Sequence, residues 1–174
     1  RMNVASDVAV ITGAGSGIGA ALAVELADRG LSVALIGRRR DALERTCASL
    51  PEGATGFVLP GDIAIRDDRQ RLITKLGERL EPTGARLRYL VHNAGVGEPA
   101  TGIEGIDPDD LAEALAVNVT APLALTQGLL PLLRAAYPSR VLMVGAGIAD
   151  RPQPGTGSYG ISKKALARLF EQLT

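Results

Sequence analysis

One cysteine, one histidine and no excess of either charge leave this chain few of the shortcuts by which small proteins are held together or attract partners. Cys47 has no second thiol with which to form an internal disulfide, so the fold must rest on a packed core. Lys+Arg and Asp+Glu both number 19, which excludes an overall basic field that would draw in nucleic acid or an anionic membrane surface. Internal repeats, a low-complexity linker, a signal-peptide hydrophobic segment and an apolar run of membrane-spanning length are not found either. The expectation that follows is a cytoplasmic protein with neither nucleic acid nor membrane as partner. Cys47 closes the helix-like run Asp41–Cys47 and reads as a small core hydrophobe. His92, at the end of an apolar run, reads as a hydrogen-bonded histidine at a strand end.

What the chain has in quantity is apolar residues, 46%, and glycine, 21 in 174 residues. That length suits one domain, residues 1–174, with a sizeable core. Five short β-rich runs, Val8–Ile11, Ser32–Ile36, Gly56–Leu59, Leu87–Val91 and Val141–Val144, alternate with segments of helical apolar spacing. Such alternation predicts right-handed βαβ units and hence an α/β fold, a doubly wound parallel sheet with helices on both faces and ligands at the carboxyl ends of its strands. The strands are nearly all apolar, as burial on both faces requires. Asp107-Pro108-Asp109-Asp110 predicts a helix start, with Asp107 as cap and Pro108 at the first helical position. The helix is expected to run towards Tyr137, kinked or interrupted at Pro122 and Pro131. The loop Val96–Asp107, with Gly97, Pro99, Gly102 and Gly105, is the long irregular stretch before the final third.

Two motifs carry chemistry. Thr12-Gly13-Ala14-Gly15-Ser16-Gly17-Ile18-Gly19 lies between the first predicted strand and a helical run, so it reads as strand, tight turn, helix. Glycines let the backbone approach a pyrophosphate closely, and the free N–H groups and positive dipole end of the following helix face the anion. Tyr159 and Lys163 stand at i and i+4 and therefore share a helix face. A phenol is a weak acid at neutral pH, and an ammonium one turn away favours its phenolate form, which makes the pair an acid/base device. Asn93-Ala94-Gly95 follows the fourth strand, where small residues allow close passage to an adenine or ribose. After the second strand come Gly37, Arg38, Arg39 and Arg40 in place of an acid. An acid there would accept from a ribose 2′-OH, whereas a guanidinium clamps a 2′-phosphate, so NADP(H) is favoured and NAD(H) remains possible. Arg38 is the first choice for that contact and Arg39 the second, with Arg40 solvated.

Taken together from Thr12 to Lys163, these motifs resemble the short-chain dehydrogenase/reductase family, of the type with Tyr-x-x-x-Lys. The resemblance implies a Rossmann-like domain in which Tyr159 exchanges a proton with a carbonyl or alcohol oxygen while hydride moves to or from nicotinamide. Lys163 would also hold the nicotinamide ribose, and Asn118 would shape a water path to it. Gly13, Ser16, Gly17, Ile18, Gly19, Asn93, Ala94 and Gly95 would join Arg38 and Arg39 around the cofactor. Asp62-Ile63 would meet the adenine, although Asp62 also reads as a cap for the following helix. No metal is implied. Family members usually continue past the position of Thr174, with two further strands and a helix, so the chain reads as lacking the C-terminal strands. Pairing into a homodimer or homotetramer is expected, compatible with Leu123, Leu125, Leu129, Leu130 and Leu133, which core packing explains equally well.

One departure matters. The family's third catalytic residue, a Ser thirteen residues before the Tyr, is Ala146 here, and Val144-Gly145-Ala146-Gly147 holds no hydroxyl. Losing such a donor costs about 10²–10³ in rate. Ser158 should project roughly 100° from Tyr159 on a helix, and Thr156 lies in the loop before it. Three readings follow: an NADP(H)-dependent oxidoreductase acting on a small carbonyl or alcohol, a cofactor-binding or interaction module that has lost catalysis, and a dehydrogenase whose Val96–Asp107 loop positions a substrate needing no Ser.

Overall fold

Strand β1 (Asp7–Thr12) turns Val8 and Val10 to one layer and Ala9 and Ile11 to the other, all four buried. A strand apolar on both faces belongs inside a sheet. The computed structural model, which describes residues 6–97, 101–151 and 153–173, places it there. The sheet runs β3-β2-β1-β4-β5, all parallel, with β2 (Ser32–Gly37), β3 (Gly56–Pro60), β4 (Arg86–His92) and β5 (Arg140–Met143) within a residue or so of the predicted runs.

Helices cover both faces. On one, α1 (Gly17–Asp28) and α2 (Arg40–Ala48) bring Ala23, Ala27 and Leu43 against Ala9, Ile11, Val33 and Leu35. Cys47 packs at the edge of this cluster, half-buried. On the other face, α3 (Arg66–Leu80) and α5 (Ala121–Ala135) bring Leu72, Leu76, Leu125 and Leu129 against Val8, Val10, Ala34 and Leu90. Helix α6 (Gly157–Phe170) packs on α4 (Pro108–Leu115) and on the π turn that follows it.

The region after Asp107 corrects three expectations. Asp107 does cap α4, its carboxylate accepting from the Asp109 amide at 2.8 Å. Pro122, however, does not break the helix: the wide π turn Ala116–Thr120 rearranges the hydrogen bonding just where the missing proline N–H would otherwise leave a gap. Pro131 sits inside α5 on its exposed side. The continuous Pro108–Ala135 stretch is, by length and composition, long and apolar enough to cross a membrane, contrary to the sequence reading. Its packing on the sheet and on α3 accounts for that composition. Leu125, Leu129 and Leu133 are core residues and not pairing surface, whereas Leu123 is 38% exposed. In the long loop, Ile103–Gly105 forms a 3-10 turn, while Pro99, like Thr174, lies outside the described residues.

At the foot of the sheet, Asp7 accepts from Arg86 at 2.9 Å and from Arg88 at 2.8 Å. Burial would raise the Asp7 pKa, but the hydrogen bonds and charges of Arg88 and Arg86 outweigh it and hold the carboxyl below its ordinary value. The β1–β4 register shifts by one residue here: Val8 faces Leu87 and Ala9 faces Tyr89, so Arg88 is the extra residue of a bulge. Arg88 also donates to the carbonyls of Ala136 and Pro138.

His92, 3% exposed at the end of β4, is only half satisfied. Its Nε2 pairs with Thr126 Oγ1 at 2.9 Å, and Nδ1 is buried with no partner among the described residues. Burial pushes its pKa down to about 4. Below about pH 6.5 an unfolded chain takes up a proton that the native histidine refuses. Stability should therefore fall as pH drops from 6.5 towards 4 and stop falling through this group below its folded pKa. The slope should be at most about 1.4 kcal/mol per pH unit. Asp7, Asp41 and Asp68 have lowered pKa values and lose their contributions only at more acid pH. Urea midpoints at pH 7, 5.5 and 4.5 should show this loss, and His92→Gln should flatten it; an equally steep decline in the variant would remove His92 as its cause.

Candidate active site

The ends of β1 and β4 meet above the sheet through Thr12. Its hydroxyl accepts from the amides of Asn93 and Ala94, both at 3.1 Å, and the Asn93 side chain donates back to the carbonyls of Thr12 and Gly13. Gly13 has φ +67, and a Cβ there would lie 2.8 Å from the Ala94 Cα. Only glycine serves this crossing. Ser16 then stands at the cap position of α1 without a side-chain capping bond. The positive end of the helix dipole therefore lies beside a cavity of about 300 Å³ that Gly13, Gly15 and Ser16 line.

Nine of the predicted residues line that cavity: Gly13, Ser16, Arg38, Arg39, Asp62, Ile63, Asn93, Ala94 and Gly95. Gly17, Ile18 and Gly19 form the first turn of α1 beside it, Ile18 being 67% exposed and Gly19 buried against Asn93 and Gly13. Arg38 and Arg39 are exposed at the end of β2, whereas Arg40 is the first residue of α2 and pairs with Glu44 at 3.4 Å. Asp62 divides its roles: Oδ1 accepts from the Ala64 amide at 2.9 Å, and the residue still faces the cavity.

Tyr159, Lys163 and Asn118 gather next to the cavity. Lys163 is 4% exposed, its ammonium donates to the Val144 carbonyl at 2.9 Å, and it lies 5.6 Å from the centre of the Tyr159 ring. Burial lowers its pKa. Gly95 joins the two groups of residues, since a Cβ there would lie 3.5 Å from Lys163 Nζ and 3.3 Å from Asn118 Oδ1. The buried Asn118 side chain grips Val96 from both sides, accepting from its amide at 2.9 Å and donating to its carbonyl at 2.8 Å. It also donates to Ser162 Oγ, which in turn donates to the Tyr159 carbonyl. Held this way, Gly97 lies against the tyrosine ring, where a Cβ would come within 2.6 Å of Cδ2.

Sequence reasoning missed several of these residues. Gly37 and Gly61 line the cavity from the ends of β2 and β3, and a glycine recurring just after a predicted strand was the available signal. Val96 and Val117 line it too, positions that only the tertiary fold reveals. Ser162 stands three residues after Tyr159 on the same helix face, which the spacing could have shown. The hydroxyls considered as replacements at Ala146 are not placed in the cavity: Ser158 is 3% exposed within the helix packing, and Thr156 lines a separate groove with Ile148, Ile161 and Lys164.

Gly13→Ala should destabilise the chain by about 1–3 kcal/mol, through a left-handed backbone and a backbone clash together. Gly145→Ala, with ordinary φ and open space around it, should stay within about 0.5 kcal/mol of the parent. Chemical denaturation of the two variants checks the contrast, and equal midpoints would contradict the crossing described above.

Known proteins share this fold. The chain is 33% identical over 173 residues to an 11-beta-hydroxysteroid dehydrogenase-like 3 protein of Arabidopsis thaliana, covering 98% of this chain and 54% of the plant protein. It spans about half the length of the curated relatives it matches. A metagenomic short-chain oxidoreductase solved in complex with NADP superposes with TM-score 0.85 at 27% identity, covering 98% of this chain and 76% of that one. A short chain dehydrogenase/reductase from Burkholderia phymatum in complex with NAD gives TM-score 0.87 at 28% identity, covering 99% and 60%. With the short chain dehydrogenase family model matching residues 7–174 as well, the chain belongs to that family.

Proposed function

We propose that this chain carries the cofactor-binding and acid/base half of an oxidoreductase that interconverts a small carbonyl compound and its alcohol with NADP(H). The observation that carries the reading is the junction at Gly95, which lines the cavity on one side and lies against the buried Lys163 on the other, with the Tyr159 ring 5.6 Å from that ammonium. The Gly13 cradle, which a Cβ would fill, and the free first turn of α1 fit a pyrophosphate. Solved relatives with NADP and with NAD support a nicotinamide cofactor. Arg38 and Arg39, with no acid at the end of β2, favour the 2′-phosphorylated form, and NAD(H) would bind more weakly.

Bound nicotinamide would supply the hydride acceptor or donor. The residues of the chain do the rest: Tyr159 gives its hydroxyl proton to the carbonyl oxygen in reduction, or takes one from the alcohol in oxidation. The Lys163 ammonium lies one helical turn along, 5.6 Å from the centre of the Tyr159 ring, and Asn118 holds the Val96–Gly97 backbone that packs against that ring.

Purified protein titrated with NADPH and NADH, followed by cofactor fluorescence, should bind NADPH more tightly, and Arg38→Ser should erase most of the difference. Tyr159→Phe should lower turnover on a mixed carbonyl panel by about 10²-fold or more while leaving NADPH affinity in place. Loss of both together would contradict an acid/base role. A second reading rests on Ala146: the Val144–Gly147 run has no hydroxyl, and among the described residues nothing lies within 4 Å of where a Cβ at Gly145 or Gly147 would stand. Tight NADPH binding without turnover, not restored by Ala146→Ser, would favour a cofactor-binding module.

A further inference from the structure

We propose that Asp68 and Arg69, on the first turn of α3, are positioning residues for the adenine end of the cofactor cavity, acting through the turn that joins β3 to α3. The inference rests on the reading of that cavity as a dinucleotide site. Gly61, Asp62 and Ile63 form one wall of the cavity, yet they belong to no helix or strand. A wall of irregular backbone holds its place only if its polar groups are tied down.

The Gly61 amide donates to the Gly37 carbonyl at 2.9 Å, and the side chains that reach the turn from outside it come from α3. Asp68 Oδ2 accepts from the Asp62 amide at 2.6 Å. A single nitrogen of Arg69, Nη1, donates to the consecutive carbonyls of Ile63 and Ala64, both at 2.7 Å. Arg71 binds the second oxygen of Asp68 at 2.6 Å and reaches the Pro60 carbonyl at 3.4 Å. The turn is thus held at Pro60, Asp62, Ile63 and Ala64 by three neighbouring side chains of one helix. Bonds to charged side chains are about twice as strong as neutral ones.

This is not ordinary helix capping. Ile65 occupies the cap position of α3 and offers no side-chain bond, and Ala64 before it has no polar side chain. Asp68, at the third helical position, instead reaches out of the helix to the cavity wall. Its carboxyl stays ionised into acid, held by the hydrogen bond from the Asp62 amide and by Arg71. With Asp62 Oδ1 taken by the Ala64 amide, the second carboxylate oxygen is the one left to face a ligand, in a position that the clamp determines.

Adenine is shared by NADPH and NADH, while reduced nicotinamide mononucleotide lacks the adenosine half altogether. Arg69→Met, Asp68→Asn and Arg69→Lys would be titrated with all three, with circular dichroism and melting recorded for each variant. Arg69→Met and Asp68→Asn should weaken NADPH and NADH alike by about tenfold or more, as expected for loss of charged hydrogen bonds. Arg69→Lys, whose ammonium can also donate to two carbonyls, should recover most of that loss, and affinity for the mononucleotide should not change. Unchanged NADPH affinity in a folded Arg69→Met or Asp68→Asn variant would overturn the proposal. So would an equal loss for NADPH and the mononucleotide. If the parent protein binds none of the three, the nucleotide-site reading itself fails, a result distinct from a failure of the clamp.

Discussion

The Thr12 hydroxyl is the contact on which the rest of the site depends. Sheet order reverses direction between β1 and β4, with two crossovers leading outward from β1 through β2 to β3 and the third returning past β1 to β4, so their carboxyl ends part to form the crevice typical of doubly wound sheets. A crevice between two strands has a width only if the strands are tied at its floor. Thr12 supplies that tie by accepting from two successive amides of the β4 exit, and Asn93 answers with two bonds to the β1 exit. The glycine turn above one strand and the Asn93-Ala94-Gly95 segment above the other are then held in contact. At the opposite end of the same strand pair, Asp7 and two arginines form an ionic staple. Both ends of the central pair are fixed, and the loops that build the cavity hang from a rigid frame.

From this frame the polar network spreads to the second group of residues. Gly95 passes between the cavity and Lys163, and Val96, one residue later, is gripped by Asn118. Asn118 stands within the π turn Ala116–Thr120, directly before the turn of α5 that carries Pro122. A buried amide that satisfies its donor and acceptor on one backbone residue and one hydroxyl is a fully connected network, the arrangement that rigidifies a site.

The sheet was legible because its signals are local: apolar runs of strand length, glycines at their ends and an Asp-Pro helix start. The cradle was legible for the same reason, and the nine predicted residues around the cavity follow from strand ends meeting at one edge. What the sequence concealed depends on contacts across the fold. Pro122 is a helix breaker by local rules, and only the π turn makes it compatible with a continuous helix. Leu125, Leu129 and Leu133 have the same spacing whether they face a sheet or a partner. His92 carries no mark in the sequence that one of its nitrogens would lie buried and unpartnered. Asp68 and Arg69 look like ordinary charges on a solvated helix start, and become a clamp only when the turn before them folds back.

The bulge at Arg88 changes which layer each side chain of β4 faces. Along β4, Leu87 packs with the α3–α5 layer, but Tyr89 and Val91 pack with the α1–α2 layer, a change of phase that strict alternation forbids. The extra residue supplies the change. Beyond it every side chain has exchanged faces, so His92 meets Thr126 on α5 and Asn93 turns towards Gly13 and α1. Five residues and roughly 16 Å of strand separate the bulge from Asn93. A single surplus residue at the foot of the sheet thus acts as a parity switch for the cavity: the same strand without the bulge, paired one for one from Leu87, would turn Asn93 away from the glycine turn and put His92 in its place.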